Sequence, residues 1–203
     1  LIVLLNFVAF SQDNQKANST GEIGINSELS YRMLEPNQDL RKVSLLLHER
    51  QEGALNNKRL IIGSSIIPIL DYQKSNMESK FSYLMRHPTS NNQIGKEVSE
   101  AVLHSIQLSL TTAVNDWLTG YTEILYNPEQ SFGPGTITSL NRNQLQLRKG
   151  YVLIGDLNKF PVYGALGKMD APFGQTKSVS PFTNSTMWHA FGGLAYGAQV
   201  GFD

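Results

Sequence analysis

Apolar residues recur at every second position of this chain over stretches longer than ordinary strands. Ile23, Ile25, Leu29, Tyr31 and Met33 share one parity, opposite Glu22, Gly24, Asn26, Glu28, Ser30 and Arg32. Met77, Phe81, Tyr83 and Met85 alternate with Glu78, Lys80, Ser82 and Arg86. Val102, His104, Ile106, Leu108, Leu110 and Val114 stand opposite Ser105, Gln107, Ser109 and Thr111. The stripe Trp188, Ala190, Leu194, Tyr196, Ala198, Val200 and Phe202 faces away from His189, Gly193, Gln199 and Gly201. Successive side chains of a strand point to opposite faces, so this pattern predicts strands with one apolar and one polar face. Several segments run about nine to thirteen residues, against the usual five or six. A tilted strand needs ~9–11 residues to cross a bilayer.

Further strands are expected at Lys42–His48, Lys58–Leu70, Trp117–Tyr126, Gln144–Asp156 and Val162–Asp170. Lys149 breaks the pattern, because it shares parity with Leu145, Leu147 and Tyr151; a bulge at Lys149–Gly150 would re-phase that strand. Pro68 suits a strand end better than a central ladder position. Outside Leu1–Phe10, no stretch has convincing helical periodicity. Leu1–Phe10 is almost continuously apolar and Ser11–Gly21 is polar. Two readings of residues 1–21 stay open: the remnant of a secretory signal, or a first strand with its loop.

Connections alternate in length. Asn115-Asp116 and Leu157–Pro161 are tight turns built from turn-forming residues. His87–Ser99, Asn127–Asn143 and Pro172–Ser185 are long loops. Short turns at one end and long loops at the other imply strands that run up and down in order, as in outer-membrane barrels. Counting back from the loops, strand 22–33 runs from outside to inside and needs one strand before it, which Leu1–Phe10 could supply. The expected architecture is all-β: an antiparallel up-and-down transmembrane β-barrel over 22–203, in part, with about nine or ten strands.

Composition removes other classes. Seventeen basic residues balance 17 acidic ones, so the chain lacks the basic excess of a nucleic-acid binder. Cysteine is absent, which excludes disulfides, thiolate metal sites and Cys nucleophiles. No G-x-S-x-G, Walker A, G-x-G-x-x-G or H-E-x-x-H string occurs, and the four histidines are scattered. An enzyme, a metal site and a bound cofactor are therefore not expected. Asn18-Ser19-Thr20 and Asn184-Ser185-Thr186 read as polar loop composition rather than glycosylation sites. Tyr31, Tyr83, Trp117, Tyr126, Tyr151, Trp188 and Phe202 fall towards strand ends, as interfacial aromatics do in barrels, though β-propensity explains them equally well. Glu28, Arg32, Lys80, Arg86, Gln107 and Arg148 would line the lumen of a barrel, where water lowers the cost of charge. In a soluble sandwich the same residues would form the wet outer face.

Two strings carry a resemblance. VNDWLTGYTEILYNPEQSFGPGTITSLNRNQLQLRKGYVLIGDLNKFPVYGALGKMDAPFG and PFTNSTMWHAFGGLAYGAQVGF closely resemble the LbtU-type siderophore porin family, and more narrowly its FupA/FslE-type iron-uptake outer-membrane proteins. The likeness is most specific over residues 78–202, with IGDLNKFPVYGALGKMDAPFG as its best marker. It implies a Gram-negative outer-membrane barrel that takes up iron, as a ferric siderophore or as ferrous iron, in contact with outer-membrane lipid. It implies no TonB-type plug, since no plug-like region is expected before the strands. Family members are considerably longer than this chain, and no ligand residues carry over. On that reading Lys168 joins the path of the cargo, and Arg142 and Lys177 with Arg148 attract an anionic complex near the outer loops. A general porin or adhesin-like barrel and a soluble β-sandwich binding module are the competing readings; the oligomeric state is open.

Overall fold

The computed structural model describes residues 23–34, 41–57, 59–80, 94–126, 145–171 and 193–203. The expectations placed on residues 1–21, Arg86, Arg142, Lys177, Trp188 and the two loops after residue 126 and residue 171 lie outside these. The described strands are β1 (Ile23–Gly24), β2 (Arg59–Lys80), β3 (Ile94–Asn115), β4 (Leu118–Tyr126), β5 (Leu145–Ile154), β6 (Val162–Asp170) and β7 (Leu194–Phe202). They form one seven-stranded sheet in strict sequence order, β1 to β7. That is the sequential neighbour order expected from the alternating turns. The sheet is mixed, because β1 pairs parallel to β2 while β5–β6 and β6–β7 are antiparallel. Among the described residues no pairing closes β7 back onto an earlier strand. The chain divides into two compact units, parted between residues 64 and 65, 106 and 107, 124 and 125, and 146 and 147.

Two expectations at the start of the chain are overturned. Residues 22–33 do not form a strand: after the two-residue β1 comes α1 (Ser27–Met33). Lys42–His48 is not a strand either, but most of α2 (Lys42–Gln51). Leu29 and Met33 are four residues apart, a spacing that satisfies both a two-residue and a 3.6-residue period. Local chemistry decides between them. Asn26 caps the helix by accepting from the Leu29 amide at 3.0 Å, and Glu28 and Arg32 sit at the ends that suit their charges. In α2 the buried Val43, Leu46 and Leu47 follow i, i+3, i+4, one helical face. The chain is therefore strand-dominated rather than all-β.

The expected strand Lys58–Leu70 and the alternating segment that starts at Met77 are not separate: Arg59–Lys80 is one continuous strand, β2, of 22 residues, and β3 is as long, while residues 81–85 lie outside the described residues. β3 begins at Ile94, inside the segment read as a long loop. The polar run from Asp71 to Asn76 resembles a turn in composition, yet it continues the ladder, and Lys74 pairs with Glu97 across β2 and β3. At ~3.3 Å per residue such strands reach about 70 Å, well beyond the ~25 Å apolar band of an outer-membrane barrel.

The second unit has a covered face and an open one. Leu29 and Met33 of α1, Val43, Leu46 and Leu47 of α2, and Leu55 pack against Ile61, Ala113, Tyr121, Tyr151, Leu153, Ala165 and Met169 of the sheet. Serines make the close approach possible. A Cβ on Gly63 would overlap the hydroxyls of Ser30 on α1 and Ser109 on β3. This covered face is termed the inner face below. On it Gln107, Ser109, Thr111, Thr119, Glu123 and Lys149 are buried polar residues.

The outer face is apolar. Register places Val152, Leu166 and Ala198 in one row across β5, β6 and β7, and Ile154, Gly164 and Val200 in the next. Leu166 is 65% exposed, Tyr196 77%, Val200 80% and Phe202 77%. The inner rows of the same strands hold cross-strand Tyr–Gly pairs. Tyr151 lies opposite Gly167, where a Cβ would overlap the Gly150 carbonyl and the Tyr151 Cα, and Tyr163 lies opposite Gly201, where its ring fills the space a Cβ would need. Gly167 has φ +142°, a backbone conformation that side chains disfavour. Gly167→Ala should cost about 1–3 kcal/mol through strain and the lost close approach of β5, read as a lowered denaturant midpoint with an unchanged m-value.

β5 changes phase as expected, but one residue early. Leu145 and Leu147 are exposed while Lys149, Tyr151 and Leu153, of the same parity, are buried. A Cβ on Gly150 would touch the Leu147 side chain, so the break lies at Arg148-Lys149. Both basic side chains then reach the same carboxylate, Glu123.

Candidate functional site

The strand chemistry of β4, β5 and β6 converges on one buried ionic cluster. Glu123 is fully buried on the inner parity of β4. Lys149 of β5 lies 3.6 Å from Glu123 Oε2 and 2.9 Å from Asp170 Oδ2 at the end of β6. Arg148 Nε lies 3.5 Å from Glu123 Oε1. The side chains of Lys149, Asp170 and Arg148 are 5%, 10% and 15% exposed, so two cations and two anions share a nearly dry site. Pairing is what makes this tolerable, since an isolated buried charge costs several kcal/mol.

Tyrosines close the cluster. Tyr121 Oη donates towards Glu123 Oε2 at 3.1 Å and Met33 O at 3.3 Å, linking the sheet to the end of α1. The Tyr121 and Tyr151 rings are tilted at 39° with centroids 5.3 Å apart. Tyr151 Oη and Glu123 Oε1 are buried without a hydrogen-bond partner among the described residues. Tyr151 is thus a central inner-face residue, and not the strand-end aromatic expected from the sequence.

The helices that cover the cluster are tied to each other and to the turns. Arg32 pairs with Glu49, and Lys42 Nζ donates to the Arg32 carbonyl at the end of α1. Burial pushes the Glu49 carboxyl above its ordinary value of 4.5, with the Arg32 charge opposing that rise. A raised carboxyl pKa means the folded state holds the proton more tightly than the unfolded chain. The group therefore costs stability above the raised pKa, and the cost vanishes below 4.5. Glu49→Gln should raise the unfolding temperature at pH 7 and leave it unchanged near pH 4, a difference that unfolding at the two pH values measures.

A polar network joins α2 to the tight turns. Arg50 donates to Thr119 Oγ1 at 2.6 Å, the Asn115 carbonyl at 2.6 Å and Asn57 Oδ1 at 2.9 Å. Asn57 donates to Asp116, and Lys159 Nζ lies 3.0 Å from both Asp116 Oδ2 and Asp156 Oδ2. The hydrogen bond from Asn57, then that from Lys159, hold the Asp116 carboxyl below its usual range, and the Asp116 and Asp156 bonds raise Lys159. Burial lowers the Arg50 guanidinium pKa, offset by Asp156 and Asp116. Arg50, Asn57, Asp116, Asp156 and Lys159 line a cavity of about 270 Å³ between the end of α2 and the turns.

Of the residues singled out from sequence, Gln107 and Arg148 are on the inner face of the sheet. Glu28 and Arg32 belong to α1 instead of a lumen-lining strand, and Arg32 is spent on Glu49. Lys80 is the last residue of β2. Lys168 is corrected: register sets it beside Tyr196 on the outer face, its ammonium 5.9 Å from that ring and donating to Leu147 O at 2.8 Å. Glu123, Lys149 and Asp170 went unselected. Lys149's break in parity and Glu123's place opposite Leu118, Thr122 and Ile124 were the signals that could have found them.

Fold and site thus define a strand-dominated protein with a seven-stranded mixed sheet in sequence order, whose second unit has an apolar outer face and a helix-covered ionic inner face. Part of the chain is similar to a UPF0422 protein of Coxiella burnetii (strain RSA 493 / Nine Mile phase I), 31% identical over 65 residues, 32% of this chain. The match takes in 12% of that protein's length, and its name assigns no activity. No protein-family model matches the chain, and no solved structure does.

Proposed function

We propose that this chain is membrane-embedded sheet of an outer-membrane β-barrel, a porin-like transporter whose polar interior passes a small charged solute. The observation that carries this is the open apolar face of the sheet. On the inner face charged and hydroxyl side chains are buried beside the apolar residues that α1 and α2 cover, while Val152, Ile154, Leu166, Tyr196, Val200 and Phe202 are open on the outer one. A sheet covered on one side by helices in water wets polar side chains on its other side. A barrel in lipid turns apolar ones outward and keeps polar ones inside. Trp117 and Phe160, exposed at the tight turns, suit a headgroup interface at that end of the strands.

Iron as cargo rests on the resemblance of residues 78–202 to the siderophore porins. A ferric hydroxycarboxylate complex is polar and anionic, so basic residues at the mouth and in the interior would attract it. Arg142, Arg148 and Lys177 are the residues to test for this role; Lys168, on the outer face, is not expected to touch the cargo. Two measurements separate the readings. Heat-modifiable migration in detergent marks a barrel, and protein confined to the aqueous fraction would falsify it. Uptake of labelled iron by a deletion strain, with and without siderophore, separates an iron transporter from a general porin or adhesin-like barrel. Charge reversal at Arg142, Arg148 and Lys177 should slow ferric siderophore uptake, and unchanged uptake removes their role.

A further inference from the structure

We infer that α1 and α2 form a displaceable plug over the inner face, one that closes the ionic cluster in this state and leaves it to open the passage. The inference rests on the barrel reading and adds its regulation. Three features of the second unit point the same way.

The contact is asymmetric in chemistry. The helices reach the sheet through an apolar patch (Leu29, Met33, Val43, Leu46, Leu47), but the site beneath Met33 is ionic. Two cations and two anions at the centre add little to the stability of a static core, since well-packed apolar residues of similar volume are often as stable or more so.

Hydrogen bonding in the covered state is incomplete. Tyr151 Oη is buried with no hydrogen-bond partner among the described residues, whereas Glu123 Oε1 has its ion-pair contact with Arg148 at 3.5 Å. A buried hydroxyl like that of Tyr151 costs free energy where it is dry and recovers it where water or a polar solute reaches it. The covered state therefore carries a cost that the uncovered state relieves, which narrows the gap between the two.

Beside the apolar patch, polar tethers join the helices to the sheet and its turns. Among the described residues Tyr121 touches Met33, Arg50 holds Thr119 and Asn115, and His48 lies 3.1 Å from Asp203 beyond β7. Polar tethers of this kind can exchange for water, whereas β-ladder hydrogen bonds hold the sheet itself together.

The absence of cysteine allows a clean lock. The Ser30 and Ser109 hydroxyls flank the single point where a Gly63 Cβ would sit, so Ser30→Cys with Ser109→Cys places two thiols within bridging reach of α1 and β3. The doubly substituted protein is reconstituted in planar bilayers and its conductance measured oxidised and then reduced. The plug predicts low conductance when oxidised and a rise of roughly tenfold or more on reduction, the shift expected if the lock removes an open state worth one polar tether. Arg50→Ala, which cuts α2 from the β3–β4 turn without touching the cluster, should raise conductance above the unsubstituted protein. Equal conductance in both redox states, with Arg50→Ala also unchanged, overturns the plug and leaves the barrel standing. Protein that forms no channel in any state and shows no heat-modifiable migration overturns the barrel reading, and the plug with it.

Discussion

Leu166→Arg should destabilise the protein folded in phospholipid vesicles by about 2–4 kcal/mol, the cost of arginine near the middle of a bilayer. Leu166 sits in the outer row between Val152 and Ala198, and 65% of its surface is open. No inner-face contact is lost by changing it. On a water-facing sheet the same substitution would fall within about 0.5 kcal/mol of neutral and improve solubility. The two outcomes are far enough apart for denaturant unfolding in vesicles to choose between them. A near-zero effect there would remove the lipid-facing assignment of this row.

Glu123→Leu should cost about 3–5 kcal/mol, the penalty for removing one partner of a buried ionic group. Lys149 keeps Asp170 at 2.9 Å, but Arg148 loses the carboxylate to which β5's change of phase delivers it. Substituting Arg148→Met in the same background should recover most of the loss, because the buried cation left without its carboxylate goes with it. The coupling between the two positions, from the double-mutant cycle in denaturant, should exceed about 1 kcal/mol. Simple additivity of the two single costs would mean that the residues act independently and that the cluster is not a unit.

The strands were legible because β-structure writes itself into sequence with a period of two. The outer-face positions of β7, Tyr196, Val200 and Phe202, are the apolar parity already visible in the stripe from Trp188 to Phe202. The tight turns were legible for the same local reason: Asn115 Oδ1 accepts from the amides of Trp117 and Leu118 at 2.9 Å each, and Asp156 Oδ1 from Asn158 at 3.1 Å. Asn and Asp announce such turns by their own short side chains. The helices were missed where a four-residue spacing, Leu29 to Met33, fits either period. The length of β2 was missed because polar turn-like residues can also extend a strand once a neighbour, here β3, offers ladder partners.

By itself, the sequence determined that strands dominate, that they follow one another in order around tight turns, and that one parity is nearly free of charge. Those are properties of neighbours along the chain, within reach of periodicity. Only the tertiary structure decided which face is covered, that α1 and α2 cover it, and that Glu123, Lys149 and Asp170 meet. Those three residues come from three strands, and their meeting depends on register and on the break at Arg148-Lys149. The same register moved Lys168 from the expected lumen to the outer face beside Tyr196. Alternation gives two faces; what lies against each is a long-range fact, set by the apolar contact of two helices that period two could not distinguish from strands.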